Sequence, residues 1–142
     1  MRSYIDEIEK TLKAAPELSG TKIESYGNKY EIPEDLPYIN IVPRAKRRTR
    51  QFVIGAPILY NASPEVEVHV WESSVEDLRT AFDACEELTE KVLDVLSNLT
   101  AANLGVDHHE SEVEQYDGGQ YETTYYYEAV IVVKGRKDES YT

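Results

Sequence analysis

Residues Ser73 to Leu99 constrain the fold most, because their apolar positions repeat at the period of one long amphipathic helix. Val75, Leu78, Phe82, Cys85, Leu88, Val92, Val95, Leu96 and Leu99 lie on a single helical stripe, and the opposite face is charged. Ser73 or Ser74, each followed three residues later by an acid, Glu76 or Asp77, is the expected cap. The i,i+4 pairs Arg79 with Asp83 and Glu87 with Lys91 contribute only about 0.2–0.5 kcal/mol each, against roughly 1.5–3 kcal/mol for each apolar side chain fully buried. Packing therefore decides this helix. At about 1.5 Å per residue it runs about 40 Å, enough to cross a small sheet diagonally.

The flanking segments read as the sheet. Tyr4, Ile5, Ile8, Leu12 and Ala15 predict a short N-terminal helix ended by Pro16. A small hairpin is expected over residues 21–32 around Gly27-Asn28, and Tyr38 to Val42 forms a strand between Pro37 and Pro43. Gln51 to Tyr60 has strand character broken by Gly55 and Pro57, which suits an edge strand or bulge, followed by a turn at residues 61–64. Glu65 to Trp71 alternates as a half-buried strand, with Val66, Val68 and Val70 inward and Glu67, His69 and Trp71 outward. Asn103-Leu104-Gly105 gives a helix stop. Two strands then flank Asp117-Gly118-Gly119, the expected hairpin turn, and the last third of the second strand, ending in Val130 to Val133, is apolar on both faces. The expectation is one α+β domain over residues 1–142: a mostly antiparallel sheet covered on one face by the long helix, with a short N-terminal helix and a C-terminal hairpin. Residues 44–58 form an extended basic loop or edge strand, and 135–142 a polar tail.

Charge and chemistry narrow the function. The sequence has no apolar leader and no run of 18 apolar residues, so neither a secretory signal nor a membrane span is expected, and the two Asn-x-Ser/Thr sequons are given no role. The single Cys85 sits on the apolar stripe and reads as a small buried hydrophobe. Asp107-His108-His109-Glu110 is the only cluster of metal-ligand types, but adjacent strand residues point to opposite faces, so no metal site is assigned. His69 reads as a surface or interface histidine without a triad partner, and no glycine-rich phosphate loop occurs. The expectation is a non-enzyme without cofactors.

A net charge of −12 disfavours general nucleic-acid binding. Against this background, five of the 15 basic residues, Arg44, Lys46, Arg47, Arg48 and Arg50, fall within seven positions. They suit a solvated loop, a phosphate contact, or a docking arm for an acidic surface, of which another copy of this chain is one. Tyr116, Tyr121, Tyr125, Tyr126 and Tyr127 crowd the final hairpin on both faces, more aromatic surface than a small core hides. Arg44, Lys46, Arg47, Arg48, Arg50, Tyr116, Tyr121 and Tyr126 are thus the candidate subunit-interface residues.

This layout resembles the tail-terminator and head-tail joining proteins of long-tailed bacterial and archaeal viruses. The likeness lies in element order across nearly the whole chain. A short helix precedes Tyr38-Ile39-Asn40-Ile41-Val42-Pro43; a basic loop and strand pair follow; Val66-Glu67-Val68-His69-Val70-Trp71 leads into the long helix; and a tyrosine-rich hairpin ends on Ala129-Val130-Ile131-Val132-Val133. The resemblance implies a ring, typically a hexamer, that caps the tail tube and joins the head or neck. Its partners would be the tube protein and a head-completion or neck protein, with DNA only passing through the lumen and no membrane involved. It places the protein in the virion and, during assembly, in the host cytoplasm. The alternatives are another neck or tail-completion joint, and a stand-alone α+β ligand-binding domain or enzyme with a concave polar site.

Overall fold

The structure is a computed structural model and describes residues 2–44, 49–51, 59–61 and 65–136. It has the α+β class, with a long helix packed on a sheet that is five-stranded among the described residues. The elements are α1 (Arg2–Ala14), β1 (Lys22–Ser25), β2 (Tyr38–Pro43), β3 (Thr49–Gln51), β4 (Leu59–Asn61), β5 (Glu65–Ser74), α2 (Leu78–Ser97), α3 (Ala101–Leu104), β6 (His108–Tyr121) and β7 (Thr124–Arg136). The sheet order is β1-β2-β5-β7-β6; β1 runs parallel to β2 and the other neighbours are antiparallel. β3 and β4 pair as a separate two-stranded sheet.

One hydrophobic cluster lies between the helices and one sheet face. α1 contributes Tyr4, Ile5, Ile8 and Leu12, and Pro16 ends it by starting a short 3-10 turn. α2 contributes Cys85, Leu88, Val92, Val95 and Leu96, which meet Ile39 and Ile41 of β2, Val66, Val68 and Val70 of β5, and Ala129, Ile131 and Val133 of β7. The stripe from residue 85 onward is thus core. Its first part is not: Val75 is 76% exposed and Leu78 41%, while Phe82 is part-buried.

The reason lies in where α2 begins. Ser73 and Ser74 are not caps; they prolong β5 and pair with Tyr126 and Tyr125. Asp77 is the cap, its carboxylate accepting from the Thr80 N–H at 2.7 Å. Helix therefore starts at Leu78, and Val75 falls in the connection. At the other end α2 stops at Ser97, and Thr100 caps the separate turn α3, which Gly105 closes in the left-handed conformation.

Two expected hairpins are also corrected. Around Gly27 no second strand forms among the described residues; β1 instead lies beside β2 in parallel. Asn40, buried at mid-β2, donates to the Gly27 carbonyl at 3.0 Å and accepts from its N–H at 2.9 Å, taking the place of a strand partner. Asp117, Gly118 and Gly119 are strand residues rather than a turn, pairing with Glu128, Tyr127 and Tyr126. The turn falls at Glu122-Thr123, with Glu122 at positive φ. Register explains the shift. A turn centred on Gly118 would set Ile131 opposite Gly105, beyond the start of β6, whereas the observed register pairs Ile131 with Val113 and keeps apolar residues on the core face.

A candidate assembly surface

On the sheet face away from the helices, β5 presents Glu67 and His69, β7 presents Glu128, and both Val130 and Val132. The strand expected to be half-buried is buried on both sides here: Glu67 is 8% and His69 5% exposed, so His69 is an interior residue rather than a surface one. Its two ring nitrogens each face a carboxylate, Nε2 to Glu67 at 2.9 Å and Nδ1 to Glu128 at 3.2 Å. A neutral imidazole donates through one nitrogen only, so this geometry suits the imidazolium. Burial alone pushes the His69 pKa down, but the hydrogen bonds it donates to Glu128 and Glu67 outweigh it and hold the group above its ordinary value. Burial pushes Glu67 up, yet His69 and Lys29 hold it below the usual carboxylate range.

Two further cations close this face. Lys29 reaches Glu67 at 3.4 Å from the loop after Gly27. Arg44, at the end of β2, meets Glu67 at 3.2 Å, Glu65 at 3.7 Å and Glu114 at 2.5 Å. Glu114 is the extra residue of a β-bulge between Val113 and Gln115, which aims its side chain back across the sheet. Arg44 is thereby held within its own subunit. Of the other basic candidates, Lys46, Arg47 and Arg48 lie outside the described residues, and Arg50 is placed only by its backbone, in β3 opposite Tyr60.

The tyrosine candidates divide between core and surface. Tyr116 (39% exposed) and Tyr127 form an edge-packed trio with Phe82, at centroid distances of 5.7 Å and 4.9 Å from that ring. Gly118 permits this, because a Cβ there would collide with the Tyr127 ring. Tyr121, 60% exposed, stands at the hairpin turn, and Tyr126 is part-buried on the polar face, paired with Gly119 and Ser73. The structure therefore brings Tyr116 to the helix side and Tyr126 to the opposite side of the same hairpin.

Conventional reactive groups are tied down. Cys85 is buried, its thiol donating to the Val70 carbonyl at 3.6 Å, and burial raises its pKa to about 12. His109 Nε2 donates to the Leu99 carbonyl at 2.5 Å on the helix side, while His108 pairs opposite Arg136 on the other. Among the described residues no group of three potential ligands converges on a metal position, and no helix is long and apolar enough to cross a membrane. An open cleft of about 320 Å³ lies beside His108, Glu110 and Lys134, and Lys134 is already paired with Glu112 at 3.4 Å.

Glu67, His69, Glu128, Lys29 and Glu114 were not singled out as a site by sequence. Only the spacing Glu67-x-His69 on one strand face signals them; their convergence depends on the β5–β7 register and the bulge. Compared with models of known protein families and with curated proteins, the chain matches none.

Proposed function

We propose that this chain is a virion structural protein that assembles as a ring, caps the tail tube, stops its polymerisation and offers a joint to the head or neck. The observation that carries this reading is the β6–β7 hairpin, which leaves Tyr121 60% exposed at its turn and Tyr116 39% exposed beside the Phe82 ring it packs against. Exposed tyrosines rimmed by charge are the composition of a protein interface. A second support is the charge layout: a basic run on a chain of net charge −12 suits head-to-tail contact between copies, and such contacts close into rings when the rotation allows. A lumen of net negative charge lets DNA pass without adhering.

The proposal commits to assembly rather than chemistry. In solution the purified chain is expected to form a ring-sized species by light scattering, and deleting its gene from the virus that carries it is expected to give tails of abnormal length or tails detached from heads. Normal infectious particles assembled without it would refute the proposal.

A further inference from the structure

The two carboxylates that flank His69 are held very differently. Glu67, on the same strand, also meets Lys29 at 3.4 Å and Arg44 at 3.2 Å, so two cations fix it whatever the imidazole does. Glu128, on β7, has His69 Nδ1 at 3.2 Å as the only side-chain partner of its carboxylate among the described residues. Asp117 of β6 stands opposite Glu128 in the register and is exposed, so a carboxylate leaving His69 in that direction reaches water.

The other groups around the ring are already committed. Asn40 of β2 lies opposite His69 and spends both ends of its amide on Gly27. Val130 of β7 lies opposite on the other side, and Trp71 follows on the same face of β5. Tyr38, opposite Trp71, bonds Glu24 of β1. Arg44 divides its charge among Glu65, Glu67 and Glu114, and Lys29 reaches only Glu67 among these acids. The hydrophobic cluster and its helices occupy the opposite face of the sheet.

An imidazolium satisfies both carboxylates, because each ring nitrogen carries a proton. A neutral ring satisfies one. Its bare nitrogen then points a lone pair at a carboxylate oxygen 2.9 Å or 3.2 Å away, a repulsion that the low dielectric of a buried site strengthens. The carboxylate that yields is the one without another cation. We propose that His69 is a proton-operated clasp between β5 and β7: protonated, it holds Glu128 down on the sheet, and neutral, it keeps Nε2–H on Glu67 and releases the Glu128 carboxylate into solvent beside Trp71 and Asp117. The Glu67 end of the face stays closed, while the Asp117 end becomes wetter and more negative as pH rises. Because the same two acids hold the His69 pKa above its ordinary value of 6.5, the clasp opens on the alkaline side of that value. The device does not depend on the ring reading.

Nitrogen NMR of the intact chain reads the protons on each histidine ring directly. His69 is expected to carry protons on Nδ1 and Nε2 below its midpoint and on Nε2 alone above it. Contacts from the Glu128 methylenes to the His69 ring, present at the lower pH, are expected to disappear across the same midpoint. A proton left on Nδ1 above the midpoint, or persistence of those contacts, would overturn the clasp. Glu128→Gln removes one of the two acids and is expected to lower the His69 midpoint by about one pH unit or more. An unchanged midpoint in that variant would overturn it as well. The wild-type spectra need no variant to fold, and neither measurement requires assembly, so failure here leaves the ring reading standing.

Discussion

The two faces of the sheet are built from the same three central strands and held by different physics. Toward the helices, β2, β5 and β7 present Ile39, Ile41, Val66, Val68, Val70, Ala129, Ile131 and Val133, all at or near zero exposure. Toward the other side, the same strands present Asn40, Glu67, His69 and Glu128, joined by Lys29 and Arg44. The first face gains from area removed from water and tolerates any apolar side chain of suitable volume. The second gains only while every charge has its partner, because an unpaired buried charge costs far more than the pair contributes. Stability should therefore respond to volume on one face and to pH on the other.

The largest effect is expected on the helix side. Ile131 is fully buried opposite Val68 and Val113, so Ile131→Ala should cost about 2–5 kcal/mol, read as a lower denaturant midpoint with unchanged slope. That loss should be the same at pH 6 and pH 8. A strongly pH-dependent loss would break the division between faces.

The polar face should show the opposite behaviour. His69 has a raised folded pKa, so its contribution is fully present below its unfolded value, near 6.5, and is lost as pH rises through the higher folded value. Glu67 is lowered, so its contribution is present above the ordinary carboxylate value and is lost as pH falls through its depressed one. Stability should thus peak in mildly acidic solution and decline on the alkaline side as His69 loses its proton between Glu67 and Glu128. Melting curves from pH 5 to 9 would measure it, and His69→Gln should flatten the alkaline limb. An identical limb in that variant would assign the decline elsewhere.

This contrast also explains what could be read before the fold was known. Period and apolarity made the helix-facing layer legible: α1, the core part of α2, and the valine alternation of β5 all follow from residue spacing. The polar face was not legible because its partners are far apart in sequence. Glu67 and Glu128 meet at His69 only through strand register, and Glu114 meets Arg44 only through a bulge. Turn chemistry misled in the same way. Asp117-Gly118-Gly119 is a strong local turn signal, yet pairing the apolar end of β7 with β6 required those residues in strand, and Glu122 took the turn instead.

The smallest expected effect separates the faces at two adjacent residues. Gly118 lies opposite Tyr127 on the helix side, and a Cβ there would run into that ring, which is itself wedged against Phe82. Gly119 lies opposite Tyr126 on the other side, with nothing within 4 Å of its would-be Cβ. Gly118→Ala should therefore force the ring aside and cost about 1–3 kcal/mol as overpacking. Gly119→Ala meets no obstacle and restricts the unfolded chain, so it should be neutral or stabilise by up to about 1 kcal/mol. Both measurements come from one pair of unfolding curves, and the near-ultraviolet dichroism of Tyr127 should change only in the first. Equal losses in the two variants would mean that backbone pairing in the hairpin, and not the side chains on its helix-facing side, sets its stability, and the division between the faces would then end at Ala129.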